Sequence, residues 1–267
     1  MNDIEPGKIH QRCINGMSQM HYFVYLPQHR TEENKIFYSI HGISRNAEEH
    51  VEGFIAQAEK HGAIILAPLF LKEDYPRYQQ LGSSANQQRA DMAFDHVLQD
   101  AHEWLGISPA PMHMFGFSGG GQFLHRYAMF YPKRVARMVL AAPGWYTFPD
   151  PERKYPYGIK STREWPNLKF VLENFLKIST LIMVGEQDDL RDKELNKTKE
   201  IDSFQGFNRI ERAERWTTAV RAVGRSYDIP TNIRLEQVPN ASHAYESYTA
   251  HPPFAEQIFD FLFEELQ

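Results

Sequence analysis

The chain has 267 residues, enough for one large hydrophobic core, with 24% charged residues and a net charge of −5. That balance fits a soluble globular protein and, with no long basic run, argues against nucleic acid or an anionic membrane surface as a partner. The single cysteine, Cys13, excludes an intrachain disulfide, and the polar opening "MNDIEPGKIHQRC", with no apolar run near 18 residues anywhere, sets the expectation of a cytoplasmic protein without a membrane partner.

In chain order, "IHQRCING" and "HYFVYLP" read as a pair of strands with Gly16 near their turn. "KIFYSIHG" is a short apolar run ending in His41-Gly42. Behind it, "NAEEHVEGFIAQAEKHG" has helical spacing, with Val51, Phe54, Ile55 and Ala58 on one face and Gly62 placed to stop it. "AIILAP" is a strand apolar on both faces. A helix is expected near "ANQQRADMAFDHVLQDAHEWLG", with Met92, Val97, Leu98 and Trp104 inward. "MHMFGFS" is a strand and "GGQFLHRYAMFYP" a helix closed by Pro132. "RMVLAAP", "STLIMVG" and "NIRLEQVP" supply three more strands. "RIERAERWTTAVRAVGRS" is a helix whose alternating charges read as an exposed face. "PFAEQIFDFLFEEL" is a terminal helix opening at Pro252-Pro253.

Doubly buried strands alternating with helices predict an α/β fold: a mostly parallel eight-stranded sheet, helices on both faces, and an antiparallel edge from the opening pair. One domain over 1–267 is expected. Two segments break the alternation, near 70–84 and 145–175. Both are rich in Pro, Tyr or Trp, and they are expected as loop insertions walling a cleft.

The stretch "MHMFGFSGGGQF" carries the chemistry. Gly116-Phe117-Ser118-Gly119-Gly120 fits G-x-S-x-G with a strand before and a helix after. In this nucleophile elbow a tight turn strains the serine and presents its hydroxyl, while small neighbours let the two backbones approach. The plainer alternative is a glycine-rich connecting turn. A serine hydroxyl needs a base, and the base an orienting acid, so a carboxylate after a later strand and a histidine beyond it are required, in that order. "STLIMVG" runs into Glu186-Gln187-Asp188-Asp189, where Asp188 is the first choice of acid and Asp189 the second. Only His243 and His251 lie beyond, and His243 directly follows the strand "NIRLEQVP". The catalytic candidates are therefore Ser118, Asp188 and His243.

An oxyanion hole needs two donors. The amide after the nucleophile is Gly119, and the loop after the third strand supplies Ile43, with Gly42 letting the backbone bend. Arg45, just past that loop, is a candidate for binding a substrate carboxylate, with a surface ion pair as the plainer alternative. Tyr75 and Trp145, in the two aromatic loops, are candidates for lining the acyl and alcohol pockets.

In "IHG", "GFSGG", "GEQDD" and "SHAY", in that order, the chain resembles the α/β-hydrolase superfamily over nearly its whole length. More narrowly, "HGISRNAEEH" and "AIILAPLF" with "GFSGGGQFLHRYAMFYP" resemble esterases similar to polyhydroxybutyrate depolymerases. The resemblance implies serine-dependent hydrolysis of a carboxylic ester by Ser118, Asp188 and His243, with no cofactor and no metal. The single cysteine and the polar opening depart from secreted polymer depolymerases, so an intracellular small or oligomeric ester is expected rather than an extracellular polymer. No two histidines are spaced H-x-x-x-H and no Cys-x-x-Cys occurs. "HRTEEN" and "EEH" read as solvated faces, and Gly119-Gly120-Gly121 does not fit a dinucleotide fingerprint. Three alternatives share these features: a peptidase or amidase, an acyltransferase, and a binding protein that keeps the fold as a pocket.

Overall fold

A computed structural model describes residues 4–14, 20–30, 35–82, 89–163, 165 and 169–263. Its eight strands are β1 (Ile9–Ile14), β2 (Met20–Tyr25), β3 (Ile36–Ile40), β4 (Ile64–Leu69), β5 (Met112–Phe117), β6 (Val135–Ala141), β7 (Ser179–Gly185) and β8 (Ile233–Val238). They form one sheet in the order β1-β2-β4-β3-β5-β6-β7-β8. β2 runs antiparallel to β1 and β4, and every other pairing is parallel. This is the parallel sheet with an antiparallel edge that the alternation predicts. Gly16 lies outside the described residues.

The helices are α1 (Ala47–Glu52), α2 (Ile55–His61), α3 (Ala90–Leu105), α4 (Gly119–Phe130), α5 (Leu172–Phe175), α6 (Lys199–Gln205), α7 (Arg209–Ser226), α8 (Tyr245–Thr249) and α9 (Pro253–Phe263). Strand side chains alternate between two cores. Tyr38, Met114 and Met138 face Phe94, Phe123, Tyr127 and Trp216 of α3, α4 and α7. Phe37, Phe115 and Val139 face Val51, Phe54, Ala58 and Phe259, around α1, α2 and α9.

Two expectations change in detail. The helix expected over 46–62 is interrupted at Gly53, a weak helix former, and Phe54, and so becomes α1 and α2. Gly62, at φ 61°, does close α2, its amide bonding Ala58 O. On α3, Met92 turns outward at 53% exposure, because Ala93, Phe94, Val97 and Ala101 occupy the inner face. Residues 85–88 of that segment lie outside the described residues.

The strand order positions the site. β4 lies on one side of β3 and β5 on the other, so the loops leaving the carboxyl ends of β3 and β5 diverge to opposite faces. In open α/β sheets a crevice forms at such a switch point.

Candidate active site

β5 ends at Phe117 and α4 begins at Gly119, which leaves Ser118 alone to reverse the chain. It does so at φ 51°, ψ −110°. An L-residue held there stores on the order of 1–3 kcal/mol. The turn is clamped from both sides: Ser118 N–H donates to Ala141 O at 2.7 Å, and Gln122 N–H donates to Ser118 O at 3.1 Å. Two glycines permit it. A Cβ on Gly116 would lie 2.5 Å from the Gly120 carbonyl oxygen, and a Cβ on Gly120 would lie 2.0 Å from Ile40 O.

The loops after β7 and β8 are tied to each other. Glu186 N–H donates to Val238 O at 3.0 Å and Gln187 N–H to Ala241 O at 2.9 Å. The Asn240 amide donates to the Glu186 carboxylate at 3.1 Å. This pairing brings Asp188 Oδ2 to 2.9 Å from His243 Nδ1, while His243 Nε2 lies 3.0 Å from Ser118 Oγ. A carboxylate only accepts, so Nδ1 carries the proton and Nε2 is left to accept from the serine. Phe117 stacks against the imidazole, ring centroids 5.7 Å apart. The turn's three acids separate by use: Asp188 is buried against the imidazole, Glu186 holds Asn240, and Asp189 is exposed. His251 is placed elsewhere, its amide bonding Tyr248 O at the end of α8.

Behind Asp188 stands a residue that sequence reasoning placed on an exposed face. Arg209, the first residue of α7, is 1% exposed. Its Nη1 donates to Asp188 Oδ1 at 3.0 Å and to Asp192 Oδ2 at 2.6 Å. Burial raises the Asp192 pKa, but its hydrogen bond and charge pairing with Arg209 reverse that and leave it low. Arg212, one turn on, is also buried, donating to Gly206 O, Gly144 O, Asn196 O and Asp202. The expected solvated face is therefore corrected: these cations point inward because carboxylates and loop carbonyls receive them. A signal existed in the sequence. Arg209, Arg212 and Ala213 share one helical stripe with Trp216 and Val220.

The loop after β3 lies against the serine: a Cβ on Gly119 would be 3.3 Å from the Ile43 amide nitrogen. His41 fixes this loop from within. Its Nε2 accepts the Phe70 amide at 3.0 Å, so Nδ1 holds the proton and donates to Gly42 O at 2.7 Å. Burial lowers its pKa to about 3, so the ring stays neutral. Tyr78 adds a third tie, its hydroxyl donating to His41 O at 2.7 Å. As the first residue of α4, Gly119 has no partner a turn earlier within the helix for its amide.

A cleft of about 540 Å³ opens over Ser118, lined among others by Ile43, Phe117, Leu190, His243 and Ala244. The three expected substrate contacts are not among its lining residues. Arg45 is spent on the scaffold, donating to Phe70 O and Tyr75 O and stacking 4.2 Å over Tyr78. Tyr75 is buried in that same packing. Trp145 is buried under the guanidinium of Arg126, 4.2 Å away. Arg126 in turn binds Thr147 Oγ1 and Gln79 O, stitching both aromatic loops to α4. The loops around 70–82 and 145–163 thus build the floor behind the elbow; residues 83, 84, 164 and 166–168 lie outside the described residues. "EEH" is corrected too: His50 is buried, stacked on Tyr245 at 4.2 Å. Residues 31–34 of "HRTEEN" lie outside the described residues. Among the described residues no cluster of three His, Cys, Asp or Glu is placed to hold a metal, and no helix is long and apolar enough to cross a membrane.

No family model matches the chain. The structure of poly(aspartic acid) hydrolase-1 from Sphingomonas sp. KT-1 superposes with a TM-score of 0.81 at 25% identity, over 98% of this chain and 100% of that one. LpqC, a poly(3-hydroxybutyrate) depolymerase from Bordetella parapertussis, superposes with a TM-score of 0.78 at 21% identity, over 98% of this chain and 92% of that one. The abhydrolase domain-containing protein abhd-5.2 of Caenorhabditis elegans is 35% identical over 96 residues, 36% of this chain; the match spans 21% of that protein's length. With its sheet order, its strained serine turn and these neighbours, the chain has the α/β-hydrolase fold.

Proposed function

We propose that the chain is a serine hydrolase that cleaves carboxylic esters through an acyl-serine intermediate. The observation that carries this reading is the unbroken line Ser118 Oγ, His243 Nε2, His243 Nδ1, Asp188 Oδ2, with contacts of 3.0 and 2.9 Å. His243 takes the Ser118 proton as Oγ attacks the carbonyl carbon. The amides of Gly119 and Ile43 receive the resulting oxyanion, each such donor being worth about 3 kcal/mol in the transition state. Collapse expels the alcohol, which leaves with the proton from His243. Water, deprotonated by the same imidazole, then releases the acid and restores Ser118. Asp188 holds the imidazole tautomer throughout. The reaction requires no cofactor.

The cleft also speaks to substrate class. Among the described residues its lining includes Glu49, Asp188, Asp192, Glu194 and Glu246, and no Lys or Arg. A cleft lined by one sign of charge repels ligands of that sign. Neutral or cationic esters with an apolar portion against Ile43 and Leu190 fit it; polyanions do not. A second reading, amide hydrolysis, draws support from the poly(aspartic acid) hydrolase neighbour, but the acid-lined cleft disfavours that polymer here.

A panel of p-nitrophenyl esters with neutral, cationic and anionic acyl groups tests both parts. Turnover of neutral and cationic esters should vanish in Ser118→Ala and His243→Ala. Anionic esters should show kcat/KM at least about tenfold lower at low salt, the gap narrowing as salt screens the cleft. Undiminished turnover by Ser118→Ala would end the serine reading; faster turnover of anionic esters would end the substrate reading.

A further inference from the structure

Asp188 does not give its charge to His243 alone. Its second oxygen accepts from Arg209 Nη1 at 3.0 Å, and the same guanidinium holds Asp192 through contacts of 2.6 and 3.2 Å. Arg209 and Asp188 are each 1% exposed, whereas the Asp192 side chain is 26% exposed at the cleft. One cation is thus shared between two carboxylates, and only one of those carboxylates touches the imidazole. The placement opposes the local helix. Arg209 is the first residue of an 18-residue helix, after the cap at Asn208, where the partial positive charge of the helix end disfavours a cation. The two carboxylates must offset that cost, so the arrangement is specified rather than incidental.

We infer that Arg209 and Asp192 extend the serine–histidine–aspartate line into a five-membered charge chain, in which Arg209 positions Asp188 and Asp192 sets how much of the guanidinium's charge Asp188 feels. This inference rests on the serine-hydrolase reading. Arg209 draws on the negative charge that stabilises a protonated His243, and Asp192 restores it. Arg209 and Asp192 are positioning residues; neither needs to touch substrate.

Other groups face the chain. Tyr146 and Tyr248 approach Asp188, and burial keeps both phenols protonated far above neutral pH. Arg212 faces Arg209 along α7 and is itself paired with Asp202. Glu49 from α1, Glu194 beyond β7 and Glu246 of α8 line the cleft with His243. None of them bonds Asp188 or Arg209; Asp192 also faces His243 through space, so its variant reads both paths, while Arg209→Gln reads the path through Asp188.

The test is the pH profile of kcat/KM on a neutral ester for two variants of opposite sign. Asp192→Asn leaves Arg209's charge wholly on Asp188. The acid limb should move to lower pH, raising activity near pH 5.5 by roughly three- to tenfold relative to the variant's own plateau. Arg209→Gln keeps a donor for Asp188 but removes the cation, and the limb should move to higher pH by a similar factor. Arg209→Lys should return the limb toward its original position while kcat stays low, because an ammonium cannot reproduce the fork. A merely structural role would lower the plateau or the melting temperature and leave the acid limb in place in both variants, which would overturn the inference. If Arg209→Gln does not fold, Asp192→Asn, altered on a side chain that is 26% exposed, still tests the inference: an unmoved acid limb overturns it. Fluorophosphonate labelling of the parent at pH 8 is the separate check: absent labelling breaks the serine reading, whereas labelling with unmoved limbs breaks only the charge chain.

Discussion

Replacing Gly120 by Ala probes the backbone approach on which the site depends. The added Cβ would fall 2.0 Å from Ile40 O and 2.7 Å from His41 O, where ordinary contact begins at 3.4 Å. Both partners are backbone at the end of β3, so no side-chain rotation relieves the clash. The helix α4 must withdraw by more than about 1 Å, and Ser118, the residue before its first turn, must move with it. Overpacking of this kind costs about 1–3 kcal/mol in stability. A displacement of about 1 Å at reacting groups costs roughly 100-fold in rate. Urea unfolding and the rate of fluorophosphonate labelling, measured on the same preparation, separate the two effects. Gly53→Ala is the control. It sits at a helical φ of −62°, and its nearest neighbour would be the Tyr245 hydroxyl at 3.2 Å, so it should cost less than about 1 kcal/mol and label at the parental rate. A Gly120→Ala protein with an unchanged urea midpoint and parental labelling would refute the close approach of α4 to β3.

Tyr78→Phe removes the hydroxyl that ties His41 O and loosens the loop carrying Ile43; about 1 kcal/mol of stability and a several-fold slower labelling rate should follow, and unchanged labelling would free that loop of dependence on Tyr78. Stability should also fall with acid. Burial depresses the pKa of His41 to about 3, and those of His50 and His125 also lie well below the ordinary imidazole value. Below pH 6.5 the unfolded chain takes up protons that the folded chain refuses, so each such histidine removes about 1.4 kcal/mol per pH unit down to its folded pKa. The urea midpoint should drop between pH 7 and pH 5, and a flat or rising midpoint there would contradict the neutral buried histidines.

The sheet was legible because its strands are short, apolar and punctuated by glycine and proline, as in "AIILAP" and "STLIMVG". The serine turn was legible because close backbone approach leaves glycine as the residue at 116 and 120. The acid was less so: Glu186, Asp188 and Asp189 crowd one turn, and spacing does not say which carboxylate folds under the histidine. Hydrogen bonds do, by giving Glu186 to Asn240 and Asp188 to His243. The arginines misled in both directions. Arg45 looked available for substrate but serves two loop carbonyls, while Arg209 and Arg212 looked solvated but are buried. Charge in a sequence marks a need for partners, and partners from distant loops leave no local trace. Tyr75 and Trp145 show the same for aromatics: rich loops can build a floor as readily as a pocket.

The central claim is that the hydroxyl of residue 118 is the attacking group. Peptide mapping by mass spectrometry after brief exposure to a fluorophosphonate tests it directly. The account predicts one stoichiometric adduct on Ser118, lost on heat denaturation before labelling and strongly slowed in His243→Ala. An adduct on another serine, or none on the folded protein, would contradict it.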